Sequence, residues 1–171
     1  MSVLWLPIGP PASGKSTLAS QMVNADKLAS DGVVSPDYYR RVLTGDIGDM
    51  GENALVFDLC LKIMHARLDH QLDVWLDATN TNPGFRSDMI ATASLPGVVV
   101  VGIRMTTPVE ECRLRNELRD RTVPKGPMEG LIRQYQNVDW SNTGVDLLVD
   151  DRDVLGLDYS EVMTSVFEGA K

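Results

Sequence analysis

The sequence predicts an α/β fold: a parallel sheet of about five strands with helices on both faces. Three observations lead there. Short apolar runs alternate with longer segments of helical periodicity along the chain. The apolar runs are continuous, as expected of strands buried on both faces. A Gly/Pro-rich segment at 9–14 separates the first run from the first helix, a junction typical of ligand-binding α/β sheets.

The first apolar run, 3–8, ends at Gly9-Pro10 and reads as a buried strand. Residues 15–23 follow as a helix. Val33 and Val34 form a short second strand. Ser35-Pro36 then opens a helix, with Ser as the cap and Pro in the first turn. The Gly/Asp-rich stretch 44–51 reads as a loop, and 53–70 has helical periodicity. Residues 73–78 form the third strand, 83–94 a helix, and 98–105 a fully buried fourth strand. A helix over 108–120 ends in a break at 122–126. A helix over 128–138, a fifth strand over 145–149 and a final helix over 160–168 complete the pattern. No repeat or linker divides the chain, so 1–171 reads as a single domain.

Composition narrows the function. Of 171 residues, 43% are hydrophobic and 23% charged, ordinary for a soluble globular protein. There are 24 acidic and 16 basic residues, a net charge of -8, so no broad basic surface is offered to nucleic acid. Any such contact has to be local and carried by a few arginines. Cys60 and Cys112 fall inside helical segments and read as buried thiols in a reducing, cytoplasmic setting. No Cys/His spacing suggests zinc. Residues 1–6 lack a basic leader, and the longest apolar run, 98–103, is too short to cross a bilayer. Neither His65 nor His70 falls in a motif.

Gly9-Pro-Pro-Ala12-Ser13-Gly14-Lys15-Ser16 fits GxxxxGK(S/T), between a strand and a helix as that motif requires. The glycines let backbone N–H groups wrap phosphates, and the helix N-terminus adds partial positive charge. The sequence therefore predicts a P-loop NTPase fold binding ATP or GTP with Mg²⁺. Gly9, Ala12, Ser13, Gly14, Lys15, Ser16 and Thr17 form the nucleotide site. Lys15 reaches the β- and γ-phosphates and Ser16 holds the metal.

Other residues cluster at the ends of the expected strands. Asp37 and Arg40 are three apart and share a helical face. An ionised Asp37 can take the proton of an attacking hydroxyl, and Arg40 can hold a phosphate in a fork. Asp77 ends the third strand, placed to orient Mg²⁺ directly or through water, or to face the acceptor. Thr79 and Asn80 follow it toward the acceptor cleft, though this run also suits a turn capping the next helix. Arg113, Arg115, Arg119 and Arg121 fall within nine residues of an otherwise acidic chain. They suggest a lid over about 113–127, with Arg115 and Arg119 the best placed to stabilise transferring phosphoryl charge. The competing reading is a solvated helix with Glu110, Glu111, Glu117 and Asp120 as partners.

Taken in order, these motifs resemble the polynucleotide 5′-hydroxyl kinases of phages and bacteria, P-loop kinases of the adenylate-kinase-like group. The resemblance runs through Gly-x4-Gly-Lys-Ser, Ser-Pro-Asp-x2-Arg, Asp-Ala-Thr-Asn-x-Asn-Pro and Arg-Asn-x2-Arg. It continues through Val-Pro to a helix with Arg133 and Tyr135, covering roughly 4–138. It implies transfer of an NTP γ-phosphate to the 5′-hydroxyl of DNA or RNA. Asp37 would be the general base and Arg40 would hold the acceptor-side phosphate. Arg115 and Arg119 would clamp the triphosphate. No DxDxT phosphatase motif is present. A kinase of small-molecule or nucleoside hydroxyls is the alternative. A GTPase switch would call for an (N/T)KxD run, and none of the five lysines sits in one.

Overall fold

The computed structural model describes residues 1–158 together with Val162 and Val166; the remainder of the helix expected at 160–168 lies outside the described residues. In chain order the elements are β1 (Ser2–Ile8), α1 (Lys15–Asn24), β2 (Val33–Val34), α2 (Pro36–Thr44), α3 (Asn53–Asp69) and β3 (Val74–Leu76). Then come α4 (Pro83–Thr92), β4 (Val98–Arg104), α5 (Val109–Leu118), α6 (Lys125–Gln136) and β5 (Leu147–Asp150).

β1 is buried along its whole length, and its alternate side chains feed two cores. Val3 and Trp5 pack with Leu18, Ala19 and Met22 of α1. Leu4 and Leu6 pack with Val56, Cys60, Met64 and Leu68 of α3 on the opposite face. This is why β1 reads as a continuous apolar run. Trp5 stands beside Trp75 of β3 in register, both essentially inaccessible. Their burial contributes on the order of 4 kcal/mol each as an upper figure.

The five strands are ordered β2-β3-β1-β4-β5, all parallel. Strands β2 and β3 lie on one side of β1, and β4 and β5 on the other. The crevice where the connections diverge therefore opens beyond the carboxyl end of β1. Ile8, Val34, Leu76 and Arg104 deliver their following loops to this rim.

Helix boundaries follow local chemistry. Ser35 accepts a hydrogen bond from the Tyr38 amide at 3.4 Å, and Pro36 fills the first turn of α2. Asn82 does the same for α4, accepting from Gly84 N at 2.9 Å and Phe85 N at 3.3 Å. α6 begins earlier than its sequence suggests. Pro124 precedes it and Pro127 lies in its first turn, where the missing N–H has no helical acceptor to lose.

α5 and α6 share a small core of Cys112, Met128 and Ile132. Arg113 holds Glu129 through two hydrogen bonds of 2.8 and 2.9 Å. Asn116 is buried and exchanges two bonds with the Val123 backbone at 2.8 and 3.0 Å. The stretch expected as a loose break is thus a braced turn. Among the described residues, no helix is long and apolar enough to cross a membrane.

Candidate active site

The Gly9–Ser16 loop leaves β1 and is fastened at both ends. Gly9 N donates to Thr79 O at 3.0 Å, and Thr107 Oγ1 donates to Ser13 O at 3.0 Å. A Cβ on Gly9 would lie 2.6 Å from Met105 Cβ and 2.7 Å from Ser13 Oγ, so only glycine fits. Gly14 has φ 97°, a left-handed conformation that glycine adopts without penalty. Ala12 also has positive φ, at 62°, a local strain of the kind that clusters at functional sites.

Lys15 is buried, and its ammonium donates to Gly9 O at 3.0 Å, Pro10 O at 2.6 Å and Ser13 Oγ at 3.3 Å. Burial pushes its pKa down to about 8; the Asp77 carboxylate partly opposes the fall, and Arg119 adds to it. Thr17 is exposed in the first turn of α1.

Asp77 follows β3, the neighbour of β1, and therefore meets the start of α1. Ser16 Oγ donates to Asp77 Oδ2 at 2.8 Å. Burial raises the Asp77 pKa, while the Ser16 hydrogen bond and the Lys15 charge pull it back. The protein oxygens at this point are one hydroxyl and one carboxylate. That donor set fits Mg²⁺, which keeps several waters and shares phosphate oxygens, better than a metal caged by protein alone. Among the described residues, no group of three or more His, Cys, Asp or Glu gathers to hold a metal.

Asp37 lies in the first turn of α2, beyond the carboxyl end of β2. Its charge acts on both Lys15 and Asp77. Oδ1 accepts from Arg40 Nη1 at 2.6 Å, and Oδ2 accepts from Arg121 Nη1 in a short contact. The sequence suggests that Arg40 offers an open fork, but the structure buries it, with only 4% exposed. Its Nη2 donates to Asn53 Oδ1 at 2.7 Å, and its Nε has no acceptor among the described residues. In this geometry Arg40 orients Asp37.

Thr79 contributes its backbone carbonyl to the loop, as above. Asn80 is buried with φ 51°, and its Nδ2 faces Pro7 O at 2.8 Å and Leu76 O and Ala78 O at 3.2 Å each. Its amide NH₂ braces the ends of β1 and β3 rather than opening into a cleft. Arg86 of α4, also buried, grips Asn80 O at 3.1 Å and Thr143 O at 3.2 Å.

The four clustered arginines divide. Arg113 is structural, on Glu129. Arg115 holds Glu111 at 2.6 and 3.0 Å and borders a cavity of about 250 Å³ beside the loop. Arg119 is exposed, and its charge reaches Lys15 and Asp77. Arg121, outside the predicted pair, is the one that crosses to Asp37, and its Nη2 donates to Ile47 O at 3.2 Å. Its place in the arginine cluster was the only sequence signal. The cavity is also bordered by Thr106, Asp151 and Arg152, which belong to no motif.

The AAA domain family matches residues 4–138. No curated protein matches the chain. Among solved structures, the Pnkp1/Rnl/Hen1 RNA repair complex contains a chain 24% identical with TM-score 0.66, covering 79% of this chain and 44% of that one. This chain therefore spans less than half the length of that relative. Chaetomium thermophilum Kti12, in complex with ADP-AlF3, is 17% identical with TM-score 0.60, covering 98% and 96%. A gluconokinase from Sinorhizobium meliloti 1021 is 15% identical with TM-score 0.54, covering 99% and 93%. At these identities the likeness is one of fold. The phosphate loop, the 2-3-1-4-5 sheet and the match over 4–138 agree: the chain belongs to the AAA domain family and has the fold of a P-loop kinase.

Proposed function

We propose that the chain transfers the γ-phosphate of ATP or GTP to the 5′-hydroxyl end of DNA or RNA, acting as a single domain over 1–171 with a lid over about 113–127. One observation carries this reading. Asp37, with Arg40 behind it, stands within electrostatic range of both Lys15 and Asp77 across the crevice. A hydroxyl placed between Asp37 and the loop would lie beside a phosphoryl group held there.

In this mechanism, Lys15 and the loop amides hold the β- and γ-phosphates. Ser16 and Asp77 would hold Mg²⁺, which would supply neutralisation of the phosphate charge. The acceptor oxygen forms its bond to the γ-phosphorus as the bond to the β–γ bridging oxygen breaks. The acceptor proton passes to Asp37, and the nucleoside diphosphate leaves. Each Asp37 oxygen accepts from one arginine, Arg40 or Arg121, and keeps a further lone pair for the acceptor proton. Arg40 positions Asp37, Arg115 and Arg119 act on the triphosphate side, and Thr79 and Asn80 brace the strand ends behind the acceptor side.

A small-molecule hydroxyl is the second reading, favoured by the net charge of -8 and the fold shared with a gluconokinase. The test is label transfer from γ-labelled ATP and GTP to a 5′-OH oligonucleotide by wild type and Asp37→Asn. Labelling that falls by about 10²-fold or more in the variant, with nucleotide binding retained, is expected. An Asp37→Asn variant with wild-type turnover would remove the general base. Nucleotide hydrolysis without labelling would shift the acceptor to a small molecule.

A further inference from the structure

The cavity beside the loop shares Ser13, Gly14, Thr17 and Arg115 with the nucleotide site, but the phosphotransfer scheme above gives no role to its far wall. Gly14 and Thr17 border it on the phosphate side, and the buried Leu18 and Met105 give it an apolar floor. At about 250 Å³ it is smaller than a whole-ligand pocket, roughly 300–1,000 Å³, and suits one planar ring with the phosphates outside on the loop. Its polar wall comes from two successive residues after β5. Asp151 Oδ1 accepts from Thr106 Oγ1 at 2.6 Å, leaving Oδ2 without a donor among the described residues. Arg152 Nη2 donates to the same Thr106 oxygen at 3.3 Å, leaving its other N–H groups for a ligand. The wall thus presents an anionic acceptor beside a cationic donor.

We propose that this cavity binds the donor nucleobase and that Asp151 with Arg152 selects guanine over adenine. Guanine carries acceptors at O6 and N7 beside donors at N1 and N2, the complement of that wall. Adenine offers one amino group, and its N1 lone pair would face the carboxylate. A site built to bond a donor disfavours the analogue lacking it, because its acceptor is left unpaired; Asp151 is half-buried and Arg152 exposed, which sets the discrimination at the order of tenfold. The inference rests on the nucleotide-donor part of the proposed function and is independent of the acceptor.

The experiment measures binding of GDP, ADP, inosine diphosphate and xanthosine diphosphate by calorimetry, to wild type, Asp151→Asn and Arg152→Ala. GDP should bind on the order of tenfold or more tighter than ADP, and inosine diphosphate, lacking the 2-amino group, should fall between them. Asp151→Asn should lose the preference for GDP and gain xanthosine diphosphate, whose 2-oxo group accepts where guanine donates. A gain of binding cannot come from a misfolded variant. Equal affinity for GDP and ADP in wild type overturns base selection while leaving the phosphate loop intact. No binding of any diphosphate overturns it together with the nucleotide reading. A preference for GDP unchanged in both variants places the selecting groups elsewhere and overturns the assignment.

Discussion

Lys15 supplies a prediction whose size follows from its burial. The free protein holds this ammonium against loop carbonyls with a pKa of about 8, against 10.5 for an ordinary lysine. The folded value lies below the unfolded one, so the charged form costs folding stability below about pH 8. That cost fades as pH rises from 8 to 10.5, and this residue's contribution to stability rises with pH across that window. A shift of this size corresponds to on the order of 3 kcal/mol at most. A bound diphosphate supplies the anionic partner that burial withheld and restores the pKa toward 10.5. At pH 9 the free lysine is about nine-tenths neutral, so binding ADP should take up about 0.9 proton, and almost none at pH 7. The same linkage weakens binding about tenfold between pH 7 and pH 9. ADP is the suitable probe because its phosphates and base do not titrate near pH 9. Calorimetry in two buffers of different ionisation enthalpy reads the proton uptake directly. Lys15→Arg, which stays charged, should abolish both the uptake and the pH dependence. Binding at pH 9 without proton uptake in wild type would show that Lys15 is not the buried group that meets the phosphates.

Two further predictions concern parts the mechanism assigns to scaffolding and to the lid. Asn80→Ala should destabilise the fold by about 2 kcal/mol, removing the amide donor that Pro7 O, Leu76 O and Ala78 O share, and lower Tm by about 4–8 °C in a thermal melt; a shift under 1 °C would mean the amide is not a brace. Arg121→Ala should leave Tm nearly unchanged, because Arg121 and Asp37 are 38% and 50% exposed and such a pair contributes at most about 1 kcal/mol. It should, however, raise amide hydrogen exchange over the 113–127 segment, since Asp37 and Ile47 O are the contacts that tie it to α2 and the loop after it; unchanged exchange there would mean that other contacts hold the lid.

The parts of the molecule that were legible in the sequence are those fixed by local chemistry. Glycines at 9 and 14, Ser35-Pro36 and Asn82-Pro83 each answer to a backbone requirement within a few residues. The strands show themselves by being buried on both faces. Reading the site needed more. The sequence places Asp77 at a strand end, but it reaches Ser16 only because the chain inserts β3 between β1 and β2. That pairing is a property of sheet order, invisible to any local window. The arginine cluster is only partly legible for a related reason. A spacing of four makes Arg115 and Arg119 neighbours only while the helix continues. α5 ends at Leu118 and Arg119 is extended, so the helical period stops applying there. Beyond that point the chain turns under the grip of Asn116 on Val123, and it is Arg121 that arrives at Asp37. Arg40 shows the third kind of loss. Charge and spacing put it next to Asp37, but only the packing of α2 on α3 decides that its guanidinium is enclosed by Asp37, Ile47 and Asn53 rather than open to a ligand. An arginine's role therefore depends on which of its five donors remain unused. In the proposed scheme that suits Arg119, exposed and with its charge reaching Lys15, to the triphosphate side, while Arg121 and Arg40 already spend donors on Asp37 and keep it aimed.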